Sequence, residues 1–363
     1  MRAAVARGLG QGFAVEDVEL AAPVGREVLV EVRASGLCHS DLHLVESDFG
    51  FPMPAVFGHE VAGVVTQTGP AAVSVRPGDH VVACLLQFCG HCEECTAGHS
   101  FACVTPGPTL RGTDQPARLT QGQAPITQAY GIGGFAERVL VHENQLAVVS
   151  KDIGFAQACV IGCATVTGAG AAINAAQVRV GDLVAVIGTG GVGLNVINGA
   201  RLAGALQIIA IDVQESKLAT AKRFGATHTV NAAEVDPVAA VRELTGRGVH
   251  HVFEVVGLPR TQQQAPDMAR PGGGVWFVGL AEPGATLTVP SSLSMLRAHT
   301  SISGVHMGST DLKRDIPMYV ELYLQGRLNL DDLVTQEIGI GDIDLAYEQL
   351  KRGEVVRSVI TTF

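Results

Sequence analysis

Cys38, His59 and Cys163 lie far apart in this chain, yet each stands in a segment suited to presenting it: Gly36-Leu37-Cys38-His39-Ser40-Asp41, Gly58-His59-Glu60 and Cys163-Ala164-Thr165-Val166-Thr167-Gly168. Two thiolates and one imidazole give a zinc ion three protein ligands and leave a fourth position open, the arrangement a catalytic metal needs. Taken singly, Cys38 and Cys163 would more often be core thiols and His59 a satisfied core histidine. Their neighbours favour the metal. Asp41, three residues after Cys38, offers a carboxylate that could orient a ligand imidazole, and Glu60, beside His59, brings negative charge close to the ion.

Between these segments, Cys89, Cys92, Cys95 and Cys103 follow a C-x2-C-x2-C-x7-C spacing in a loop with Gly90, Gly98 and little apolar content. Four thiolates close a tetrahedron and leave no place for a substrate, so a zinc held there would be structural. A disulfide pair or four free thiols are the competing readings. Cys84 and Cys159 read as core thiols.

Gly188-Thr189-Gly190-Gly191-Val192-Gly193 fits G-x-G-x-x-G directly after an apolar strand and opens a helix running to about Ala203. The first glycine permits a tight turn, the second lets backbone approach a pyrophosphate, and the third allows close packing of helix on strand. The helix N-terminus then offers free N–H groups to phosphates. Asp212 ends the next strand, nineteen residues after Gly193. A carboxylate there accepts hydrogen bonds from ribose hydroxyls and repels a 2′-phosphate, which favours NAD over NADP. The competing reading is a glycine turn followed by a solvated Asp.

These groups need elements to carry them. The first half of the chain reads as β-rich: in Glu27–Arg33, Val28, Val30 and Val32 share one face while Glu27, Glu31 and Arg33 share the other. From Leu183 onward, apolar strands at Leu183–Gly188, Ile208–Val213, Val252–Gly257 and Val275–Leu280 alternate with helical stretches, the pattern of a parallel sheet covered on both faces. Near residue 307 the chain leaves this sheet. A late helix is expected with Asp342 as N-cap, Ile343, Ala346, Tyr347 and Leu350 at helical spacing, and Gly353 as its stop. The expectation is an α/β protein with a doubly wound parallel sheet over 165–306 and a discontinuous β-rich domain over 1–164 and 307–363.

Composition narrows the possibilities. With 363 residues, 47% hydrophobic and 17% charged, the chain has material for two globular domains. A formal charge of -10 with scattered Lys and Arg argues against nucleic acid. The most apolar region, Leu183–Ile211, is broken by glycines, Asn195, Asn198 and Arg201, so no membrane span is expected. The opening Met1-Arg2-Ala3-Ala4-Val5-Ala6-Arg7 lacks the apolar stretch of a secretory signal, and eight cysteines in a cytoplasmic chain are expected to be metal ligands and core thiols.

Taken together, Cys38-His39-Ser40-Asp41, Gly58-His59-Glu60, the four-cysteine loop, Cys163 with Thr167-Gly168, the glycine fingerprint with Asp212, and the closing Val356-Arg357-Ser358-Val359-Ile360 resemble the zinc-dependent medium-chain alcohol dehydrogenases over essentially the whole chain. Alcohol dehydrogenase is itself the standard example of two cysteines and one histidine around zinc. The stretch between Cys103 and Cys163 and the segment Asp311–Val334 look like the liver-type and glutathione-dependent branches and their bacterial relatives. The resemblance implies a GroES-like catalytic domain carrying a structural zinc loop at 89–103, a Rossmann domain, two zinc ions per chain and NAD.

It also implies roles. Zinc would lower the pKa of an alcohol, and hydride would pass to the nicotinamide. Ser40 and His43 match the family's proton relay, an imidazole being suited to it by a pKa near the working pH; the alternative for His43 is a surface histidine. Thr167 would contact the nicotinamide ring, His39 and Arg357 the pyrophosphate, and Lys217 with Asp212 the adenosine ribose, with Val256 and Val278 as further cofactor-binding residues. A homodimer is expected, with a tetramer as the alternative. Phe49, Phe57, Leu85, Tyr130 and Leu296 are candidates for an apolar pocket that would suit medium-length or aryl primary alcohols. Two rivals follow: a dehydrogenase of thiol–formaldehyde adducts, for which Arg111 is the nearest candidate to hold a substrate carboxylate, and a non-catalytic NAD-binding protein.

Overall fold

A computed structural model describes residues 1–112, 115–288 and 291–363. The chain divides into two units, Met1–Cys163 with Asp311–Phe363, and Ala164–Thr310.

In the first unit, alternation builds the main sheet. Val28, Val30 and Val32 are buried along the strand Glu27–Gly36, and Glu31 and Arg33 are exposed. Glu27 departs from that pattern: it is buried, with its carboxylate between Arg111 Nη2 at 2.6 Å and Arg118 Nε at 2.7 Å. A strand-end carboxylate can turn inward when two guanidinium groups meet it, because their charge-assisted hydrogen bonds offset the loss of water.

The sheet runs in the order Leu146–Val148, His80–Ala83, Glu60–Thr68, Glu27–Gly36, Ser358–Thr362, Gln336–Gly339, with Arg138–His142 also pairing Glu27–Gly36. Two C-terminal strands thus complete an N-terminal sheet, which makes this unit discontinuous. Lys313 strengthens that return by donating from Nζ to the Glu143 carbonyl at 2.6 Å. The late helix spans Ile343–Arg352, with Ile343, Ala346, Tyr347 and Leu350 buried and Gly353 capping it at φ 71°.

The second unit holds six parallel strands in the order His228–Asn231, Gln207–Asp212, Leu183–Ile187, Val249–Glu254, Ala269–Phe277, Ser301–Gly304. In chain order that is 3-2-1-4-5-6, the dinucleotide-binding arrangement, with its switch point between Leu183–Ile187 and Val249–Glu254. A ligand crevice is expected beyond the carboxyl ends of those two strands.

Among the described residues one helix, Phe155–Ala175, is long and apolar enough to cross a membrane. Its most apolar window is 89% buried inside the protein, which marks it as a core helix.

Candidate active site

Strand register brings the first ligands together. Gly36, the last residue of Glu27–Gly36, pairs with Glu60, the first residue of Glu60–Thr68. Cys38 follows the one strand and His59 precedes the other, so both sit at the same end of the sheet. Gly58 turns the chain into His59 at φ 89°, and a Cβ there would lie 2.5 Å from the Phe135 ring, so only glycine fits. Cys163 arrives on a π-helical turn, Ile161–Thr165. A Cβ on Gly162 would stand 2.2 Å from the Ala83 carbonyl oxygen, and the missing side chain lets the turn reach the sheet.

Donor atoms of Cys38, His59, Glu60 and Cys163 all lie within 4.8 Å of one another, and all four residues are buried. His59 Nδ1 hydrogen-bonds Asp41 Oδ1 at 3.0 Å, while Nε2 faces Cys163 Sγ at 3.2 Å. Asp41 Oδ1 also accepts the Gly58 N–H at 3.1 Å. Hydrogen bonding with Cys163 holds the Cys38 thiol well below its ordinary range, and the same sharing, together with burial, raises Cys163. Burial pulls His59 down, but Asp41 outweighs it and raises the imidazole. Burial pushes Glu60 up to about 7, against the charge of Arg357. Two thiols, an imidazole and a carboxyl group buried this close together compete for protons, and a divalent cation held by Cys38, His59 and Cys163 would relieve that, with Glu60 beside it facing Arg357. The donor set therefore fits zinc with one position left open.

Around this cluster, Arg357 is 3% exposed, with Nη1 donating to the Leu37 carbonyl at 2.8 Å and Nη2 standing 3.3 Å from Glu60. Its place follows from the pairing of Val359 with Gly36. The helix His39–Glu46 carries His39, Ser40 and His43. The Cys38 thiol approaches Ser40 Oγ at 3.7 Å, and the rings of His39 and His43 meet edge to face at 6.3 Å. Among the candidate pocket residues, Phe49, Leu85 and Tyr130 are partly buried, whereas Phe57 is wholly buried in the core. Leu296 is 72% exposed on Ser292–Ala298.

The second cysteine group is also assembled. Cys89, Cys92, Cys95 and Cys103 bring their sulfurs within 4.8 Å of one another, with no disulfide among them. Cys89 to Cys95 and Cys92 to Cys103 are each 3.9 Å apart. Zn–S bonds of about 2.3 Å in a tetrahedron place sulfurs about 3.8 Å apart. The Thr105 hydroxyl and the His91 and Cys92 N–H groups donate to Cys89 Sγ, which lowers that thiol to about 5. Hydrogen bonds thus favour the thiolate at Cys89 while burial pushes Cys95 up to about 12, and the spacing of the four sulfurs fits a closed zinc site.

In the second unit the fingerprint glycines take three parts. Gly188 turns at φ 93°; a Cβ on Gly193 would lie 1.9 Å from the Gly188 carbonyl oxygen; a Cβ on Gly190 would meet nothing within 4 Å. Gly190 caps the helix Gly191–Leu202, so its open side is where a pyrophosphate can approach. Asp212 Oδ2 accepts from the Thr189 N–H at 2.8 Å and Oγ1 at 3.0 Å, which locks the carboxylate to the fingerprint loop. Val256 abuts Gly188, its Cγ2 lying 2.6 Å from a Cβ built there. Val278 and Lys217 are partly exposed, and Thr167 is buried with its hydroxyl 3.5 Å from Met307 Sδ.

Family comparisons match the same two parts. Residues 25–151 match the alcohol dehydrogenase GroES-like domain and residues 191–324 the zinc-binding dehydrogenase domain. An S-(hydroxymethyl)glutathione dehydrogenase of Photobacterium damsela subsp. piscicida is 36% identical, with 99% of each chain covered. The chain belongs to the zinc-dependent medium-chain alcohol dehydrogenases.

An NDMA-dependent alcohol dehydrogenase of Amycolatopsis methanolica is 35% identical to this dehydrogenase over 99% of its chain and 98% of the relative. The crystal structure of a benzyl alcohol dehydrogenase from Acinetobacter calcoaceticus superposes with a TM-score of 0.93 at 33% identity, covering 100% of this chain and 99% of that one. The dehydrogenase is accordingly an oxidoreductase that depends on zinc and NAD, with the α/β fold expected of it.

Two features of the site lay beyond sequence reasoning, the π-helical turn under Cys163 and the left-handed backbone of Tyr130 at φ 55°, as did the inward Glu27 at the far end of its strand. Only Tyr130 carried a signal, its neighbour Gly131.

Proposed function

We propose that this dehydrogenase oxidises primary alcohols, of medium length or bearing an aromatic ring, to aldehydes. The observation that carries this reading is the buried donor set of Cys38, His59 and Cys163 beside an aromatic wall, in which Tyr130 meets His59 edge to face at 5.3 Å and Phe51 meets Tyr130 at the same distance. When bound, zinc supplies a Lewis acid that lowers the pKa of an alcohol, and NAD supplies the hydride acceptor.

The chain's own residues have the remaining tasks. Ser40 Oγ takes the hydroxyl proton and His43, three residues along the same helix, receives it in turn. Asp41 holds His59 in the tautomer whose Nε2 is free for the metal. The loop of Cys89, Cys92, Cys95 and Cys103 serves structure alone. Asp212 and Lys217 hold the adenosine ribose, and Gly188, Gly190, Gly191, Val192 and Gly193 receive the pyrophosphate. Thr167, Val256 and Val278 bound the nicotinamide half.

Likeness to an S-(hydroxymethyl)glutathione dehydrogenase supports a second reading, oxidation of a thiol–formaldehyde adduct. Arg111, the cation considered for a substrate carboxylate, is already spent on Glu27, on the Pro116 carbonyl at 3.0 Å and on the Ala22 carbonyl at 3.0 Å. That favours the plain alcohol. Assays of benzyl alcohol, hexanol, sorbitol, and formaldehyde with and without glutathione separate the readings: turnover led by sorbitol or by the glutathione adduct would displace the proposal.

We further propose a cytoplasmic homodimer. The absence of any disulfide among the eight cysteines supports a reducing compartment. The open edge strand Ser301–Gly304, with Leu293 and Leu296 exposed nearby in sequence, supports self-association. Light scattering of the purified protein tests the dimer.

A further inference from the structure

Tyr130 stands in a conformation that an aromatic residue rarely adopts, with φ 55° and ψ 18° in the left-handed region. Such backbone persists only where surrounding contacts over-determine it. Two side-chain amides do so here. Gln87 Nε2 donates to the Tyr130 carbonyl at 3.1 Å, and Gln145 Nε2 donates to the same oxygen at 3.0 Å. Gln145 is wholly buried and is itself anchored by a second bond to the Cys84 carbonyl at 3.3 Å. Gly131 follows at φ 70°, and a Cβ on it would crowd Gln87 Nε2 at 2.8 Å, so glycine leaves the amide room beside the carbonyl.

The consequence falls on the ring. Turned this way, Tyr130 packs its edge on His59 at 73° between planes and meets Phe51 at 66°. It remains partly exposed, unlike the wholly buried Phe57 behind Phe51. Burial and the charges of Asp41 and Cys163 hold its phenol above the usual tyrosine range, which agrees with a ring set close to the metal donors.

We propose that Gln87 and Gln145 are positioning residues that hold Tyr130 in its left-handed conformation against His59, and that the ring so placed sets the site's preference for alcohols bearing an aromatic ring. This rests on the alcohol-oxidising reading of the same site. Neither amide touches the donor cluster; each acts through the Tyr130 carbonyl.

A double-mutant cycle provides the test. In the zinc-replete enzyme, Gln87→Leu lowers kcat/KM for benzyl alcohol relative to hexanol by about five- to tenfold, the size expected when two coupled groups are separated. Zinc content and the Kd for NAD stay as in wild type. In a Tyr130→Ala background, Gln87→Leu produces no further change in that ratio. If Gln87→Leu does not fold, Gln87→Glu makes the same comparison by replacing the donating amide with a carboxylate. An unchanged ratio, or an equal shift in both backgrounds, overturns the proposal. Wild-type enzyme that oxidises neither alcohol overturns the reading of the site, and the positioning role with it.

Discussion

Asp41 Oδ1 accepts from His59 Nδ1 at 3.0 Å and leaves His59 Nε2 pointing at Cys163 Sγ, 3.2 Å away. The carboxylate thereby decides which ring nitrogen is offered to the metal, and it does so from a wholly buried position. Asp41→Asn keeps the shape and removes the charge. Loss of zinc affinity at this site by about 10- to 100-fold is expected, the usual cost of changing a carboxylate behind a ligand histidine. Chelator competition followed by metal analysis checks it, with the four-cysteine zinc retained.

The two metal sites should separate under mutation. Cys163→Ala abolishes turnover and leaves one zinc per chain, because Cys89, Cys92, Cys95 and Cys103 form their own group. Cys95→Ala releases the other zinc and destabilises the loop, since few apolar contacts hold it. Metal content and thermal unfolding of both variants provide the check; loss of both ions from Cys163→Ala would point to general unfolding.

Cofactor choice is expected to rest on Asp212. Its two oxygens are oriented by Thr189, and by the N–H groups of Val213 at 2.8 Å and Gln214 at 3.1 Å. Replacing Asp212 by Ser removes both the ribose acceptor and the repulsion of a 2′-phosphate. The KM for NAD should rise about tenfold or more, consistent with a lost charge-assisted hydrogen bond, while that for NADP falls. Steady-state kinetics with both cofactors measures the ratio.

Acid stability should depend on Glu143. Burial would raise its carboxyl, but Ser74, Arg26 and the backbone N–H groups of Ser74 and Val73 lower it to about 2. A depressed carboxyl contributes stability that is fully present above its unfolded pKa, about 4.3, and is lost as pH falls through its folded one. The stability difference between wild type and Glu143→Gln should therefore shrink as pH is lowered from about 4.3 toward 2. Denaturant titrations across that range report it, and a difference that stays constant would contradict the linkage.

Metal and nucleotide chemistry was legible in the sequence because few other demands place cysteines and glycines at such spacings. Gly58-His59 and the fingerprint carried their backbone requirements in their residue types. Alternation places Glu27 on the face of Glu31 and Arg33, but it does not show that Arg111 and Arg118 come back from far along the chain to meet and bury it. The π turn at Cys163 was equally hidden, because apolar residues on both sides bury the helix whichever backbone bonds it makes. Tyr130 could be named as a pocket candidate, but its left-handed turn depends on Gln87 and Gln145, whose side chains arrive from a distant loop and from the 3-10 turn Glu143–Gln145. Properties written in residue type and local spacing could be read; those created by long-range polar partners could not.

This dehydrogenase moves hydride from the carbon of an alcohol to NAD. The decisive experiment incubates zinc-replete enzyme and NAD with benzyl alcohol in which both α-hydrogens are deuterium, and determines the mass of the reduced nicotinamide and of the aldehyde. One deuterium should appear in the reduced cofactor and the other should remain in an equal amount of benzaldehyde. Reduced cofactor without deuterium, or no reduction by protein holding both zinc ions, would contradict it.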